Sequence, residues 1–174
     1  MISRPKVEER TERPYVAMRT QATMHELGTV IPHLLGEVFA WLATQGAAPA
    51  GAPFIRYLVI NMAAQLDILD IEVGVPVASA MSGDDRIYAS VLPAGRYASL
   101  VYTGPYDGNG LVEANAALLE WGTEQGLVWD TWVAENGDGF AARLESYLTD
   151  PNEEPDPTKW ETQVAIRVAD AQPQ

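Results

Sequence analysis

The chain carries one pattern twice. Trp41-Leu42-Ala43-Thr44-Gln45-Gly46 returns as Trp121-Gly122-Thr123-Glu124-Gln125-Gly126. Around this pair, Arg13-Pro14-Tyr15-Val16-Ala17 resembles Ala94-Gly95-Arg96-Tyr97-Ala98, and Phe54-Ile55-Arg56-Tyr57-Leu58 resembles Leu144-Glu145-Ser146-Tyr147-Leu148. Asp70-Ile71-Glu72-Val73-Gly74-Val75 resembles Glu161-Thr162-Gln163-Val164-Ala165-Ile166. The blocks keep their order in both halves. A repeat of this length points to a tandem duplication of a small unit. The cleft between two such units is a natural ligand site. The 174 residues are expected to form one domain, with pseudo-repeats over about 5–78 and 84–170 and a linker over 78–85.

Each half reads as strand, strand, helix, strand, strand. Val7–Thr11 is a short strand, Glu12-Arg13-Pro14 its turn, and Tyr15–Thr20 the returning strand. Ile31, Leu34, Leu35, Val38, Phe39 and Leu42 recur at helical spacing and predict a helix over 30–45. Gly46 would stop it. Phe54–Asn61 and Leu69–Val77 are the third and fourth strands. In the second half, Arg86–Leu92 and Arg96–Thr103 are strands, a glycine-rich loop covers Gly104–Gly110, and a helix covers 111–124. Phe140–Leu148 and Trp160–Val168 complete the unit. The fold class is α+β: antiparallel sheets with helices packed on them and a central ligand cleft.

Composition narrows the function. A formal net charge of -13 argues against nucleic acid, which needs basic surface to displace counterions. It argues equally against anionic membranes. A charged ligand is therefore expected to be a cation. There is no cysteine, which excludes disulfides, thiolate metal sites and cysteine nucleophiles. No uninterrupted apolar run reaches the roughly 18 residues that span a bilayer. No signal core is visible in the charged first residues, so a cytoplasmic address is expected.

At this point the residues resemble a known family. Leu144-Glu145-Ser146-Tyr147-Leu148-Thr149-Asp150-Pro151, followed by Trp160-Glu161-Thr162-Gln163-Val164-Ala165-Ile166-Arg167, is similar to the C-terminal signature of GyrI-like domains. These are the effector-binding domains of AraC-type and MerR-type multidrug regulators such as BmrR. Tyr102-Thr103-Gly104-Pro105-Tyr106 and Glu72-Val73-Gly74-Val75-Pro76-Val77 add to the likeness, which runs from about Val7 to Asp170. The resemblance implies two pseudo-symmetric units around a cleft lined by aromatic side chains and a buried glutamate. It implies amphipathic, aromatic and often cationic ligands. In the regulators a helix-turn-helix segment precedes this domain. The short stretch before the first strand here is expected to hold no such reader.

Strand alternation sorts the candidate residues. Phe54 and Leu58 share one face, as do Leu144 and Leu148, and the helices are expected to pack there. Tyr57, Glu145 and Tyr147 would then face the cleft. Glu145 stands in an apolar-rich strand, where a carboxylate is costly unless paired. A cationic ligand would pair it, with tyrosine faces adding cation–π attraction. An internal ion pair with Arg143, Arg19 or Arg96, or plain exposure, would serve as well. Tyr57 and Tyr147 occupy matching places in the repeat, and core tyrosines with satisfied hydroxyls give the same pattern. Glu72 is the counterpart of Gln163, where the family often has a glutamate. Trp41 and Trp121 continue helical stripes and fit either core packing or a cleft wall. Trp129 and Trp132 flank Asp130 and would cover the sheet edge or roof the cleft. Tyr106 sits in a loop without the lysine pattern of a phosphate cradle, and is a candidate lid. His25 and His33 have no third ligand at metal spacing, so no metal or other cofactor is expected.

Three functions compete. The first is a binding module for amphipathic aromatic, cationic small molecules, with Glu145, Tyr147, Tyr57, Tyr106, Trp121 and Glu72 as ligand residues. The second is a hydrolase of strained electrophilic genotoxins with Glu145 as general acid/base, since some stand-alone members of the resembled family resemble hydrolases that open strained cyclopropane-bearing genotoxins. The third is a protein-binding inhibitor of the gyrase-inhibitor type, although nothing in the residues indicates a particular protein partner.

Overall fold

The computed structural model describes residues 1–61 and 68–170. Among these, ten strands and two α-helices follow in the order β1 (Lys6–Arg10), β2 (Arg13–Thr23), α1 (Leu27–Thr44), β3 (Phe54–Asn61), β4 (Ile68–Pro76), β5 (Tyr88–Leu92), β6 (Gly95–Thr103), α2 (Gly110–Glu124), β7 (Thr131–Ala134), β8 (Gly137–Phe140), β9 (Arg143–Tyr147) and β10 (Glu161–Arg167). All pair antiparallel in one curled sheet, ordered β1-β6-β10-β9-β3-β4-β2-β5. A short β7–β8 hairpin joins it through β3.

The strand order corrects the expected hairpins. β1 does not fold back on β2. It pairs with β6, with Val7 opposite Ala98 and Arg10 opposite Gly95. In return β5 pairs with β2 rather than β6, with Tyr15 opposite Ser90. Each first strand thus crosses to the other half. For β1 the physical reason lies in its link to β2. Thr11-Glu12 carries no glycine or asparagine, whereas a two-residue hairpin needs residues at positive φ. At Glu135-Asn136-Gly137 a hairpin does form, and Phe140, expected to open the following strand, closes β8 while β9 starts at Arg143.

Both helices sit on one face. α1 seats Val38 and Leu42 against Val16 and Val75, and Ile31, Leu34 and Leu35 against Ile55, Ile71 and Val73. α2 seats Ala114 and Leu118 against Ala98, Leu100, Val164 and Ile166. Gly46 and Gly126, at φ +66° and +75°, follow the two helices in the left-handed conformation that glycine tolerates. Phe39, expected in the inner stripe, is 39% exposed. The segment Met24–Thr44, with a mean hydropathy of 1.3, is long and apolar enough to cross a membrane by length and composition alone. Here one stripe of it packs on β2 and β4.

Among the described residues, the opposite face has no helix. Curling lets it bury its own side chains: Tyr15, Ala17, Phe54, Leu92, Tyr97, Ala142, Leu144 and Ala165 form a second core. This reverses the expected helix packing. The helices cover Ile55, Tyr57 and Glu145, not Phe54 and Leu144. Leu148, expected under a helix, is 46% exposed. β4 decides the matter. Leu69, Ile71, Val73 and Val75 make one face wholly apolar, while Asp70, Glu72 and Gly74 occupy the other. Only the first can receive an apolar helical stripe.

Candidate functional site

β9 lies at the middle of the sheet, between β10 and β3, and Glu145 lies at the middle of β9, opposite Val164 and Ile55. Its side chain points under α2 and is 6% exposed. Such a carboxylate needs donors. Asn115, on the inner side of α2, gives one: its Nδ2 donates to Glu145 Oε2 at 3.0 Å and to the Leu111 carbonyl at 2.8 Å. The Tyr57 hydroxyl gives another. Asn115 Oδ1 in turn accepts from Arg143 Nη2 at 3.1 Å. One amide therefore links the carboxylate to a guanidinium two residues earlier on the same strand face.

Burial dominates the electrostatics. It raises Glu145 above the usual carboxylate range, against the pull of Asn115, Tyr57 and Arg143. It pushes the Tyr57 and Tyr147 hydroxyls well above the ordinary phenol value, helped by the Glu145 charge. The Arg143 guanidinium is drawn below its usual range by desolvation. Arg143 also stacks over Phe140, 4.8 Å from the ring centre.

An aromatic wall continues from Tyr147. The Tyr106 ring stands edge-on to Tyr147 at 5.3 Å and lies tilted on Trp160 at 4.7 Å. Trp160 is fixed by its indole N–H, which donates to the Glu154 carbonyl at 2.7 Å. Among the described residues, the Tyr106 hydroxyl is buried without a hydrogen-bond partner. Gly104 and Gly108, at φ +155° and +82°, bracket Tyr106 in its loop.

Glu145, Tyr57, Tyr147 and Tyr106 therefore meet in one cluster. Glu72 does not join them. It points to the helix-free face, where it accepts a short hydrogen bond from the Tyr15 hydroxyl and lies 3.9 Å from Arg56. Trp121 packs against the core under α2. Of the expected ion partners of Glu145, Arg19 pairs instead with Asp70 at 2.5 Å, and Arg96 reaches toward the Ala169 carbonyl at 3.5 Å. Two clefts, of about 560 and 590 Å³, open on the helix-free face, the first beside Arg56, Glu72 and Tyr88, the second beside Arg10, Phe54 and Gln163. Neither includes Glu145. Among the described residues no group of three or more His, Asp or Glu side chains is placed to hold a metal.

Asn115 and Trp160 escaped the sequence reading. Asn115 had a signal: an amide at the position of the Leu111–Ala114–Leu118 stripe where an apolar residue belongs.

The GyrI-like small molecule binding domain matches residues 3–169. The chain belongs to the GyrI-like family. Solved structures share its fold. The C-terminal domain of EcmrR is 20% identical, with 98% of this chain and 100% of that chain covered and a TM-score of 0.73. A hydrolase from Listeria innocua is 13% identical, with 96% and 92% covered and a TM-score of 0.64. SAV2435, solved bound to tetraphenylphosphonium, is 8% identical, with 95% and 94% covered and a TM-score of 0.62. No curated protein sequence matches the chain.

Proposed function

We propose that this GyrI-like domain binds amphipathic aromatic, cationic small molecules at the Glu145 cluster, and serves as a sequestering or effector-binding module. The observation that carries the reading is a buried carboxylate ringed by Tyr57 and Tyr147 and held by neutral donors. Its pairing with Arg143 runs through Asn115 and is not a direct contact. An incoming cation would meet Glu145 in a low-dielectric site and lie against tyrosine rings, each worth roughly 0.5–2 kcal/mol. Tyr106 closes the aromatic wall, and its glycine-bracketed loop would swing to admit the ligand. SAV2435, with the same fold, was solved with a lipophilic cation.

Tryptophan fluorescence titrated with tetraphenylphosphonium tests this, because Trp160 touches Tyr106. Saturable quenching by wild type, weakened about tenfold or more in Glu145→Gln, is the expected result. Equal responses in both proteins would remove Glu145 as the anchor.

A second reading is hydrolysis of a strained electrophile. Burial lifts Glu145 toward the range a general acid/base needs, and Tyr57 already hydrogen-bonds it. A structure of the same fold is called a hydrolase. Product formation from a cyclopropane-bearing electrophile, abolished in Glu145→Gln, would favour this reading over simple binding.

A further inference from the structure

Glu145 is not the only charge in its cluster. Arg143 projects from the same strand face, because two residues separate them on β9. Its Nη2 is occupied by Asn115, but its Nε is buried with no hydrogen-bond partner among the described residues. The Tyr106 hydroxyl, also buried, has none either. The two orphan donors belong to one contiguous group. Arg143 acts on Tyr57 and Glu145, these act on each other, and Tyr147 connects Glu145 to Tyr106.

A simple lipophilic cation answers only part of this arrangement. It neutralises Glu145, yet it brings positive charge beside Arg143 and leaves both orphan donors without acceptors. Buried donors left unmet are costly, more so when charged. A ligand that carries a carboxylate or another strong acceptor next to its cation answers Glu145 and Arg143 together. Its cation meets Glu145, and its acceptor meets Arg143 Nε.

Resting on the reading of this cluster as a ligand site, we infer that Arg143 is a specificity-determining residue, and that the site selects zwitterionic aromatic amphiphiles over plain lipophilic cations. Asn115 keeps the two charges apart and oriented, since its amide oxygen serves the guanidinium while its amide nitrogen serves the carboxylate. Specificity here is a difference between two affinities, set by the acceptor the cation-only ligand lacks.

A matched pair of dyes tests the inference. Rhodamine 6G is an ester with a single positive charge, and rhodamine 19 is its free acid, a zwitterion on the same ring system. Fluorescence anisotropy of each dye would be titrated with wild type, Arg143→Gln and Arg143→Lys. Wild type is expected to bind the free acid about tenfold tighter than the ester. Arg143→Gln should lose that preference or reverse it, mainly through weaker binding of the acid. Arg143→Lys, which keeps the charge without the Nε, should retain a reduced preference. Circular dichroism and urea midpoints would establish that each variant is folded, and the wild-type ratio stands without either variant. Wild type that binds the two dyes equally, or prefers the ester, overturns the inference and leaves the binding site in place. So does an Arg143→Gln variant that is folded and keeps the wild-type preference. Failure of both dyes to bind wild type overturns the ligand-site reading itself, and the inference with it.

Discussion

Ile55 and Glu145 stand directly opposite each other across β3 and β9, at the centre of the strand order. The repeat aligns these same two positions. Ile55 is fully buried against α1, and Glu145 is buried beneath α2. One place in the fold is therefore filled by a hydrocarbon in one half and by a carboxylate in the other. The hydrocarbon shows what packing alone requires there. The carboxylate departs from that requirement, and its departure is supported by Asn115 and Tyr57. Such a local cost without a structural gain is what the proposed ligand role of Glu145 accounts for.

That cost can be measured. Burial holds Glu145 above its ordinary range in the folded chain, so the folded state binds this proton more tightly than the unfolded state does. The stabilisation from that proton is fully present below the unfolded carboxyl value, about 4.3. It is lost as pH rises toward the folded value, and beyond it a constant penalty remains. Glu145→Gln cannot titrate. Its unfolding free energy, relative to wild type, is expected to rise from pH 4 upward and then level off. Urea denaturation at a series of pH values checks this. Glu72 is raised in the same way by burial, and the comparison of variant with wild type cancels its share. A difference that shrinks as pH rises would contradict a raised Glu145.

Tyr106 gives a cleaner dissection of ring from hydroxyl. Its hydroxyl has no partner, so Tyr106→Phe should change stability by no more than about 0.5 kcal/mol, and in the favourable direction. Tyr106→Ala removes the ring between Tyr147 and Trp160 and should cost about 1–3 kcal/mol. The alanine variant should also shift tryptophan emission to the red, as Trp160 gains water. Urea midpoints and emission spectra of both variants read the two effects. A large loss in Tyr106→Phe would mean that the hydroxyl is bonded after all.

Much of the fold was legible, and its limits are instructive. β3 runs over the expected residues, and α2 begins one residue early. Helical and strand periodicities are local, and local signals survive. Pairing is not local. Nothing within Val7–Thr11 says that its partner is Tyr97 rather than Tyr15, because the apolar alternation of β2 and β6 is similar. The absent turn glycine was the one available clue. Sidedness had a better clue in β4, where acidic residues alternate with aliphatic ones. Glu145, Tyr57 and Tyr147 were placed on one face by alternation alone. Arg143 was named as an ion partner of Glu145, but Asn115, which links the two, was not, because a contact between α2 and β9 depends on how the helix lands.

Glu72 was expected beside Glu145, and its true setting makes a different prediction. Tyr15 donates to Glu72 and accepts from Arg56 Nη1 at 2.7 Å, so one hydroxyl serves two buried charges. Burial pushes this phenol up to about 12. Tyr15→Phe leaves a buried carboxylate short of a donor and a guanidinium short of an acceptor. The expected loss is about 1–3 kcal/mol. Affinity for tetraphenylphosphonium should stay within about twofold of wild type, because Tyr15 lies on the helix-free face, away from Glu145. A urea midpoint and the fluorescence titration, made on the same variant, separate stability from binding. A folded Tyr15→Phe with strongly reduced affinity would place the ligand on the other face of the sheet.

The exchange of first strands makes the last prediction. β1 contributes its ladder to β6, and Arg10 adds a stacking contact over Tyr97 at 4.9 Å and a hydrogen bond to Gln163 at 3.0 Å. All these partners belong to the second half of the chain. Deletion of residues 1–11 should therefore leave β2 with both its neighbours, β4 and β5, and strip β6 of one. An unpaired edge exchanges its amide protons faster. Hydrogen exchange followed by mass spectrometry should show lost protection over Gly95–Thr103 and little change over Arg13–Thr23. A simple β1–β2 hairpin requires the reverse, with β2 exposed and β6 untouched. Because the two outcomes fall on peptides some eighty residues apart, a general loss of stability cannot imitate either one: it would raise exchange in both strands together, and only a difference between them reports the pairing.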